Sequence, residues 1–467
     1  MNLELIEKLA QVKEYGFSVI IDETTDLKGD MPIIVLLQPS LYQFSQPVMI
    51  DLIFQSEVAS GTEHGTNNID IQHVYFISLT EKKIPLHSID AFVVDGAAYM
   101  KTSYTQLSRN YPRLIFIWCL CHMLNRLYAN IYDMPEFSDI RTLMKNLKKL
   151  FTNSNIRKKK WKSFCNGGNH MKLYCLTRWA SWILAIEDVL KHIDIIPSFC
   201  KELREFYALK NKTVTVVENL IQQFTNIHQI KMKMKLLCEF LEIHSLIKTF
   251  ESNGPQIHKA GRYITQLLAT FDRCSKSREL STILLEQLET DVVNPDTFKE
   301  ACTYWNKFKQ NIYLQLKIKL NDLLLRQPYW NFICICKIFD SNLSKDNLPE
   351  QLISVVTLIP FLLLPNEHEN IDFEKKRYYI RYSDELEEEY QLYKSFDLVD
   401  SDIFQFWLNV PWKALSNLAI RCLSIPVSSS DCERGFSIYN RLMKDKVNAT
   451  FPHKKALTLA KFNSNRL

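Results

Sequence analysis

Asp22 and Asp95 are the residues whose placement first suggests chemistry. Each ends a short apolar run: Phe17-Ser18-Val19-Ile20-Ile21 leads into Asp22, and Ile89-Asp90-Ala91-Phe92-Val93-Val94 leads into Asp95. If the two runs are neighbouring strands, both carboxylates emerge at one edge of a sheet, where α/β sheets place their ligands. Paired carboxylates there suit a hard divalent cation such as Mg2+. Two such ions about 3.5–4 Å apart can activate a water and stabilise the leaving oxygen of a phosphodiester. Strand-end aspartates also form turns and caps, so the pair alone leaves both readings open. Asp26 is a further acid in the same segment; Asp22 is preferred because it directly ends the apolar run.

Other reactive groups are weaker signals. Cys119, Cys121 and His122 lie close together, but structural zinc needs four ligands, usually in two spaced pairs. Cys165, His170 and Cys175 match no standard spacing, so the expected role of Cys119 and His122 is to pack and hydrogen-bond behind the acidic edge. Glu433 follows Ser430 by three positions, the Ser-x-x-Glu pattern of a helix capping box. Trp179 shares a helical face with Trp182 and reads equally as core. No GxGxxG or GxxxxGK[ST] loop is present among the 10 glycines.

Charge is unevenly spread. Between Ile140 and Ile186 there is no Asp or Glu, while eleven Lys or Arg occur, including Arg157-Lys158-Lys159-Lys160-Trp161-Lys162. The net charge of the whole chain is +5, so the remainder is slightly acidic, at about −6. Concentrated positive charge binds polyphosphate by releasing counterions. A solvated helix face or an import signal is the duller reading of the basic run; the acid-free window as a whole favours nucleic acid. The first residues, MNLELIEKLAQVKEYG, are amphipathic and charged, unlike a signal peptide. The longest apolar run, Ile353 to Leu364, contains Pro360 and falls short of the about 20 residues of a membrane span. It reads as buried core, and no membrane partner is expected. Twelve cysteines without a disulfide-like framework fit reduced thiols in the cytosol or nucleus.

Elements able to position these groups can be read along the chain. Strand signals cover Phe17 to Ile21, Pro32 to Leu37, Val48 to Phe54, Ile89 to Val94 and Leu114 to Trp118; helical patterns cover Thr66 to Leu79, Ala97 to Arg109 and Cys121 to Tyr132. The order β-β-β-α-β-α-β-α implies a mixed five-stranded sheet, an antiparallel meander extended by parallel crossovers, as in RNase H-like folds. After about residue 135 long helical periodicities dominate, for example Lys231 to Phe250 and Phe298 to Leu325. Three late helices are expected over Trp412 to Ser424, Ser430 to Met443 and Pro452 to Phe462, after an acidic stretch, Asp384 to Glu389, near a boundary.

A family resemblance joins these scattered signals. Ile21-Asp22-Glu23-Thr24-Thr25-Asp26 resembles the first-aspartate motif of hAT-superfamily transposases, and Val93-Val94-Asp95-Gly96-Ala97-Ala98-Tyr99-Met100 the second, where the family often has asparagine at the position of Tyr99. Cys119-Leu120-Cys121-His122-Met123-Leu124-Asn125 is similar to its Cys-x-x-His-x-Leu-Asn signature, and Thr177-Arg178-Trp179-Ala180-Ser181 to its Thr-Arg-Trp-x-Ser segment. Ile425 to Ser437, with Pro426-Val427-Ser428-Ser429 and Glu433-Arg434-Gly435-Phe436-Ser437, resembles the C-terminal dimerisation block; Trp407, Trp412, Leu415 and Ala419 fit the same region.

The resemblance implies an RNase H-like core over 1–178, interrupted by an all-helical insertion domain over 179–400 and completed by a dimerising tail over 401–467. It implies that Asp22, Asp95 and Glu433 hold two Mg2+ or Mn2+ ions, that Arg178 and Trp179 meet DNA beside the basic run, Trp179 handling a flipped base, and that Arg434 lies beside Glu433. The activity implied is nuclear DNA transposition: strand cleavage followed by attack of a freed 3′-hydroxyl. The family usually opens with a BED-type zinc finger, and Met1 lies only 21 residues before Asp22. The expectation is therefore a fragment, or a copy that has lost specific DNA binding. A catalytically inactive descendant that dimerises in the nucleus is the alternative, and an unrelated RNase H-like nuclease a second one.

Overall fold

A computed structural model of the chain describes residues 16–24, 32–40, 46–54, 78–81, 83–84, 86–152, 154–165, 171–173, 181–211, 214–292, 294–372, 379–396, 402–445 and 450–464. Five strands form one sheet: β1 (Phe17–Glu23), β2 (Pro32–Pro39), β3 (Val48–Phe54), β4 (Ile89–Val94) and β5 (Ile115–Trp118), in the order β3-β2-β1-β4-β5. β1 runs antiparallel to β2, and β2 to β3, while β1 is parallel to β4 and β4 to β5. This is the mixed sheet expected from the order of strand signals, and it is consistent with an RNase H-like core. Helix α1 (Ala98–Asn110) makes the crossover between β4 and β5, and α2 (Leu120–Asp133) leaves β5 after a single residue. Most of the helix expected over Thr66 to Leu79 lies outside the described residues; 78–81 are helical.

The chain then turns helical, with α3 (Ser138–Phe151), α4 (Asn155–Phe164), a 31-residue α5 (Pro295–Leu325), and the late helices α6 (Lys413–Leu423), α7 (Ser430–Asp445) and α8 (Phe451–Asn463) among those described. The single periodic stretch from Lys231 to Phe250 is two helices, Ile227–Cys238 and Leu241–Glu251, rather than one. Glu239 and Phe240 close the first with N–H bonds to Leu236 and Leu237 carbonyls three residues back, the tight last turn by which an α-helix ends. The acidic stretch Asp384 to Glu389 opens a helix, Asp384–Ser395, capped by the Ser383 hydroxyl, which accepts the Leu386 N–H at 3.2 Å. Acids in a first turn also favour the helix dipole. No described helix is long and apolar enough to cross a membrane.

Compact packing divides the chain into two units. One comprises Met1–Met123, Lys248–Thr265 and Leu323–Leu467, and the other Leu124–Ile247 and Gln266–Asp322. These limits are set by contacts, whereas the boundaries at 178 and 400 were set by motifs, and the two partitions fall at different places. In the helical unit, Trp161, Phe151 and Phe199 pack together at the foot of α3 and α4, and the Tyr128 hydroxyl donates to the Phe240 carbonyl while accepting the His244 N–H.

In the sheet unit both faces are covered, so β1, β2 and β3 are buried along almost their whole length. Side chains alternate across a strand. Phe17, Val19 and Ile21 enter one core with Val35, Phe92 and Phe116; Ile20, Asp22 and Ile34 belong to the other face. That second face receives α7. Gly435 is the contact point: a Cβ there would lie 2.7 Å from Ile34 Cδ1 and 2.9 Å from Met49 Cε. A larger residue there would require the ends of these two side chains to shift.

Both outer strands are closed by a side-chain amide. Asn463 accepts the Met49 N–H and donates to the Met49 carbonyl, each at 2.9 Å, on β3. Gln327 does the same for Trp118 on β5, at 2.8 and 2.9 Å. At the amino-terminal end of the parallel pair, buried Asp90 is bound by the guanidinium of Arg421, which is 9% exposed and sits 4.3 Å from the Phe361 ring centroid. Ser40 also donates to Asp90 at 3.0 Å. Gly16 makes room for that carboxylate, since a Cβ there would fall 1.8 Å from Asp90 Oδ2. Removing one member of such a pair leaves an uncompensated buried charge. Asp90→Asn should therefore lower unfolding free energy by about 3–5 kcal/mol. Gly16→Ala should act through the same pair, so urea denaturation of the double variant should show a loss well short of the sum of the two single losses.

Candidate metal centre

Asp22 and Asp95 leave the same edge of the sheet because β1 and β4 are parallel. Ile20 is registered against Val93, so two residues further along each strand Asp22 comes abreast of Asp95. The Asp22 side chain is 4% exposed, with Oδ1 accepting the Glu23 N–H at 3.0 Å and Oδ2 accepting the Ser429 hydroxyl at 2.8 Å. Asp95 is partly exposed and its Oδ1 accepts the Ala97 N–H at 3.2 Å, at the start of α1.

Glu433 reaches this edge from the other end of the chain. It sits in the first turn of α7, which packs against β1 and β2. Asp22, His122 and Glu433 each offer a ligand atom, and the three atoms lie within 4.8 Å of one another. Donors about 2.1 Å from one ion stand about 3 Å apart when adjacent and about 4.2 Å apart when opposite, the same scale as this cluster. Asp95 stands outside this set of three, although its charge is felt by His122. The set thus contains two of the three carboxylates expected together, with His122, weighed from sequence only beside Cys119 and Cys121 for zinc, as the third member. Its proximity to Cys119 in the chain suggested support; only the turn from β5 into α2 shows the ring facing the acids.

Ser430 is the first residue of α7, and its N–H is received by the Ser428 hydroxyl at 3.0 Å. The helix start is therefore served by Ser428, while the Glu433 carboxylate lies with Asp22 and His122. Arg434, beside it, turns away: its guanidinium binds Asp431 at 2.9–3.0 Å and the Glu251 carbonyl at 2.9 Å. The loop entering α7 is stitched to the β5–α2 junction by Leu120 N–H to the Val427 carbonyl at 2.9 Å and by Ser429 N–H to Cys119 Sγ at 3.2 Å. The Ser429 hydroxyl stands 3.3 Å from His122 Nδ1 as well as bonding Asp22. This single residue thus touches two of the three members of the cluster. Cys119 is buried, and its sulfur receives the Ser429 N–H.

The electrostatics are those of a buried acidic cluster with a basic ring inside it. Burial pushes the Asp22 carboxyl up to about 8, aided by the charge of Glu433 and opposed by His122. Burial also raises Glu433. Burial alone would lower His122, but the sulfur of Cys119 and then the charges of Asp22 and Asp95 outweigh it and lift the ring to about 10. Cys119 would be raised by burial, yet hydrogen bonding from Cys121 and the charge of His122 hold it well below an ordinary thiol. The His122 ring and the two carboxyl groups thus share one small volume, in which each shifts the others' ionisation.

The basic run lies elsewhere, on α4 in the helical unit. Lys159 and Lys162 are exposed, together with Lys145 and Lys149 of α3; Arg157 and Lys158 are partly exposed, and Trp161 is buried beneath them. Lys160 is 3.6 Å from Glu202 and 4.1 Å from the Phe206 ring centroid, so its charge is partly spent within the chain. Arg178 and Trp179 lie outside the described residues. In the late region, Trp407, Trp412, Leu415, Ala419 and Phe436 are buried within this chain, and the Trp407 indole donates to the Phe339 carbonyl.

Asp22 supplies a pH prediction. The unfolded carboxyl ionises near 3.8 and the folded one near 8, so across that window the native state holds a proton that the unfolded chain has released. A contribution of this sign is complete below the unfolded value and is lost as pH rises through the folded one. Asp22→Asn cannot ionise. Its Tm advantage over the wild type should be small at pH 4 and grow towards pH 8, by at most about 1.4 kcal/mol per pH unit; a gap that stays constant in differential scanning fluorimetry would show that Asp22 is ionised in the fold. Compared with protein-family models and with curated proteins, the chain matches none.

Proposed function

We propose that this chain is the core of a hAT-type DNA transposase, with an RNase H-like sheet that carries metal-dependent phosphodiester chemistry. The single observation that supports this most is the meeting of Asp22 at the end of β1 with Glu433, which stands about 400 positions downstream. The strand order β3-β2-β1-β4-β5 and the emergence of Asp22 and Asp95 at one edge agree with it.

In this reading Asp22, Asp95 and Glu433 hold Mg2+ or Mn2+. The donor chemistry fits, since two carboxyl groups and an imidazole already converge within 4.8 Å of one another at this edge. A bound ion of this kind lowers the pKa of water and stabilises a leaving oxygen. The residues themselves do the rest. Asp22 is held by Ser429 and its own turn, Glu433 is brought in by α7, and Asp95 stands on the adjacent strand where a scissile phosphate could be shared with Asp22. The exposed lysines of α3 and α4 supply positive surface for duplex DNA, by phosphate contact without base reading. Self-association through residues 401–467 completes the proposal. In this conformation it would use surface other than Trp407 and Trp412, because both are buried in the chain.

Supercoiled plasmid incubated with the protein and Mn2+ should be nicked, and Asp22→Ala, Asp95→Ala and Glu433→Ala should each reduce the rate by about a hundredfold or more. Dimerisation with no nicking would instead identify a descendant that kept the fold and lost the chemistry, and cleavage confined to RNA–DNA hybrids would identify a different nuclease. Replacing Lys158, Lys159 and Lys162 with Gln should weaken duplex binding irrespective of sequence. The slope of log K against log[salt] should become shallower by about 2–3, as read by fluorescence anisotropy.

A further inference from the structure

We propose that His122 is a direct ligand in this centre, joining Asp22 and Glu433 in a mixed nitrogen–oxygen site that selects Mn2+ or Zn2+ over Mg2+. The inference rests on the metal-dependent reading above and changes which residues and which ions it involves. Three donors from three separate elements converge within 4.8 Å: Asp22 from the end of β1, His122 from the first turn of α2 and Glu433 from the first turn of α7. Asp95, the third acid of the edge, stands outside that set. One of its oxygens is already engaged by the Ala97 N–H at 3.2 Å.

Donor identity decides ion preference. Mg2+ is hard, dehydrates reluctantly and takes oxygen ligands. Imidazole suits Zn2+ and other transition ions, and affinity for such a site rises from Mn2+ towards Zn2+. An imidazole in the set therefore adds affinity for Mn2+ and Zn2+ and almost none for Mg2+.

Ser429 completes the arrangement as the group that orients two of the ligands. A ligating carboxylate is ionised and only accepts, so the Ser429 hydroxyl gives its hydrogen to Asp22 Oδ2, 2.8 Å away. Towards His122 Nδ1, at 3.3 Å, the same oxygen can then only accept. That places the ring hydrogen on Nδ1 and leaves Nε2 with the lone pair a cation needs. Metal-bound histidines are held in this manner by a hydrogen bond to the other nitrogen. Ser429 is itself fixed by its N–H bond to Cys119 Sγ at 3.2 Å.

The test uses the full chain, stripped of metal, with MnCl2, ZnCl2 and MgCl2 titrated separately in a calorimeter. The wild type should bind Mn2+ at least about tenfold more tightly than Mg2+, and Zn2+ more tightly still. His122→Asn should lose that advantage for Mn2+ while its Mg2+ affinity stays within about twofold. Ser429→Ala, which removes no ligand, should weaken Mn2+ by about tenfold and leave Mg2+ unchanged. Pulsed EPR of the Mn2+-loaded wild type should show coupling to an imidazole 14N, a signal absent from His122→Asn; this readout needs no comparison of folding between variants. Equal affinities for Mn2+ and Mg2+, or an Mn2+ spectrum without nitrogen coupling, overturns the proposal. If Mn2+ binding is lost in Asp95→Asn but untouched in His122→Asn, the three-carboxylate reading stands and this one falls. If the wild type binds none of the three ions, both fall.

Discussion

The seating of α7 on the inner face of the sheet is the contact on which the candidate centre depends. Gly435 lies almost against Ile34 and Met49, and no larger residue fits there without moving a buried side chain. Glu433 is two residues earlier on the same helix. Its carboxylate can reach Asp22 only if the helix axis is this close and in this rotation. The loop before α7 holds the same alignment from its other end, through backbone bonds to the β5–α2 junction and through Ser429. A helix far along the chain is thus tied to both β1 and α2 at points within a few residues of each acidic or basic group.

That geometry has an electrostatic cost. Asp22 is almost wholly removed from water and lies beside a second carboxylate, an arrangement that disfavours its charge. His122 offsets part of this by sharing the space. Hydrogen bonds from Ser429 and the Glu23 N–H offset more. Groups held against their preferred protonation states are common where a protein binds a cation or does acid–base work, and ion-pair networks without catalytic duty produce them too. Here the distinguishing feature is that the donors converge from three elements on one small volume.

The rest of the sheet unit behaves as a rigid mount. Asn463 and Gln327 each satisfy both peptide groups of one residue on an outer strand, which covers part of the row that an exposed edge would present to another chain. At the opposite end of the parallel strands, the Asp90–Arg421 pair joins α6 to the start of β4. Structural bonding is therefore concentrated at the sheet margins and the amino-terminal ends.

Much of this was legible before any coordinates. Apolar runs closed by turn residues mark all five strands to within two residues, and β3 and β4 match their expected limits, because hydrophobic patterning and turn chemistry are local properties. The same locality explains the one merged helix, Lys231 to Phe250, where a tightened turn at Glu239 and Phe240 leaves no mark on apolar spacing. The late helices were legible too, and so were Asp22, Asp95 and Glu433 as separate acids. Their grouping was not. Family likeness could place Glu433 with the two aspartates, but it assigned His122 to support, and spacing alone favoured a helix cap for Glu433. The amino-acid sequence by itself determined which elements form and which residues carry charge, since both depend on neighbours a few positions away. Only the tertiary structure decided that Glu433 and His122, and not Asp95, share the smallest volume with Asp22, because that depends on how closely one helix can lie on a sheet.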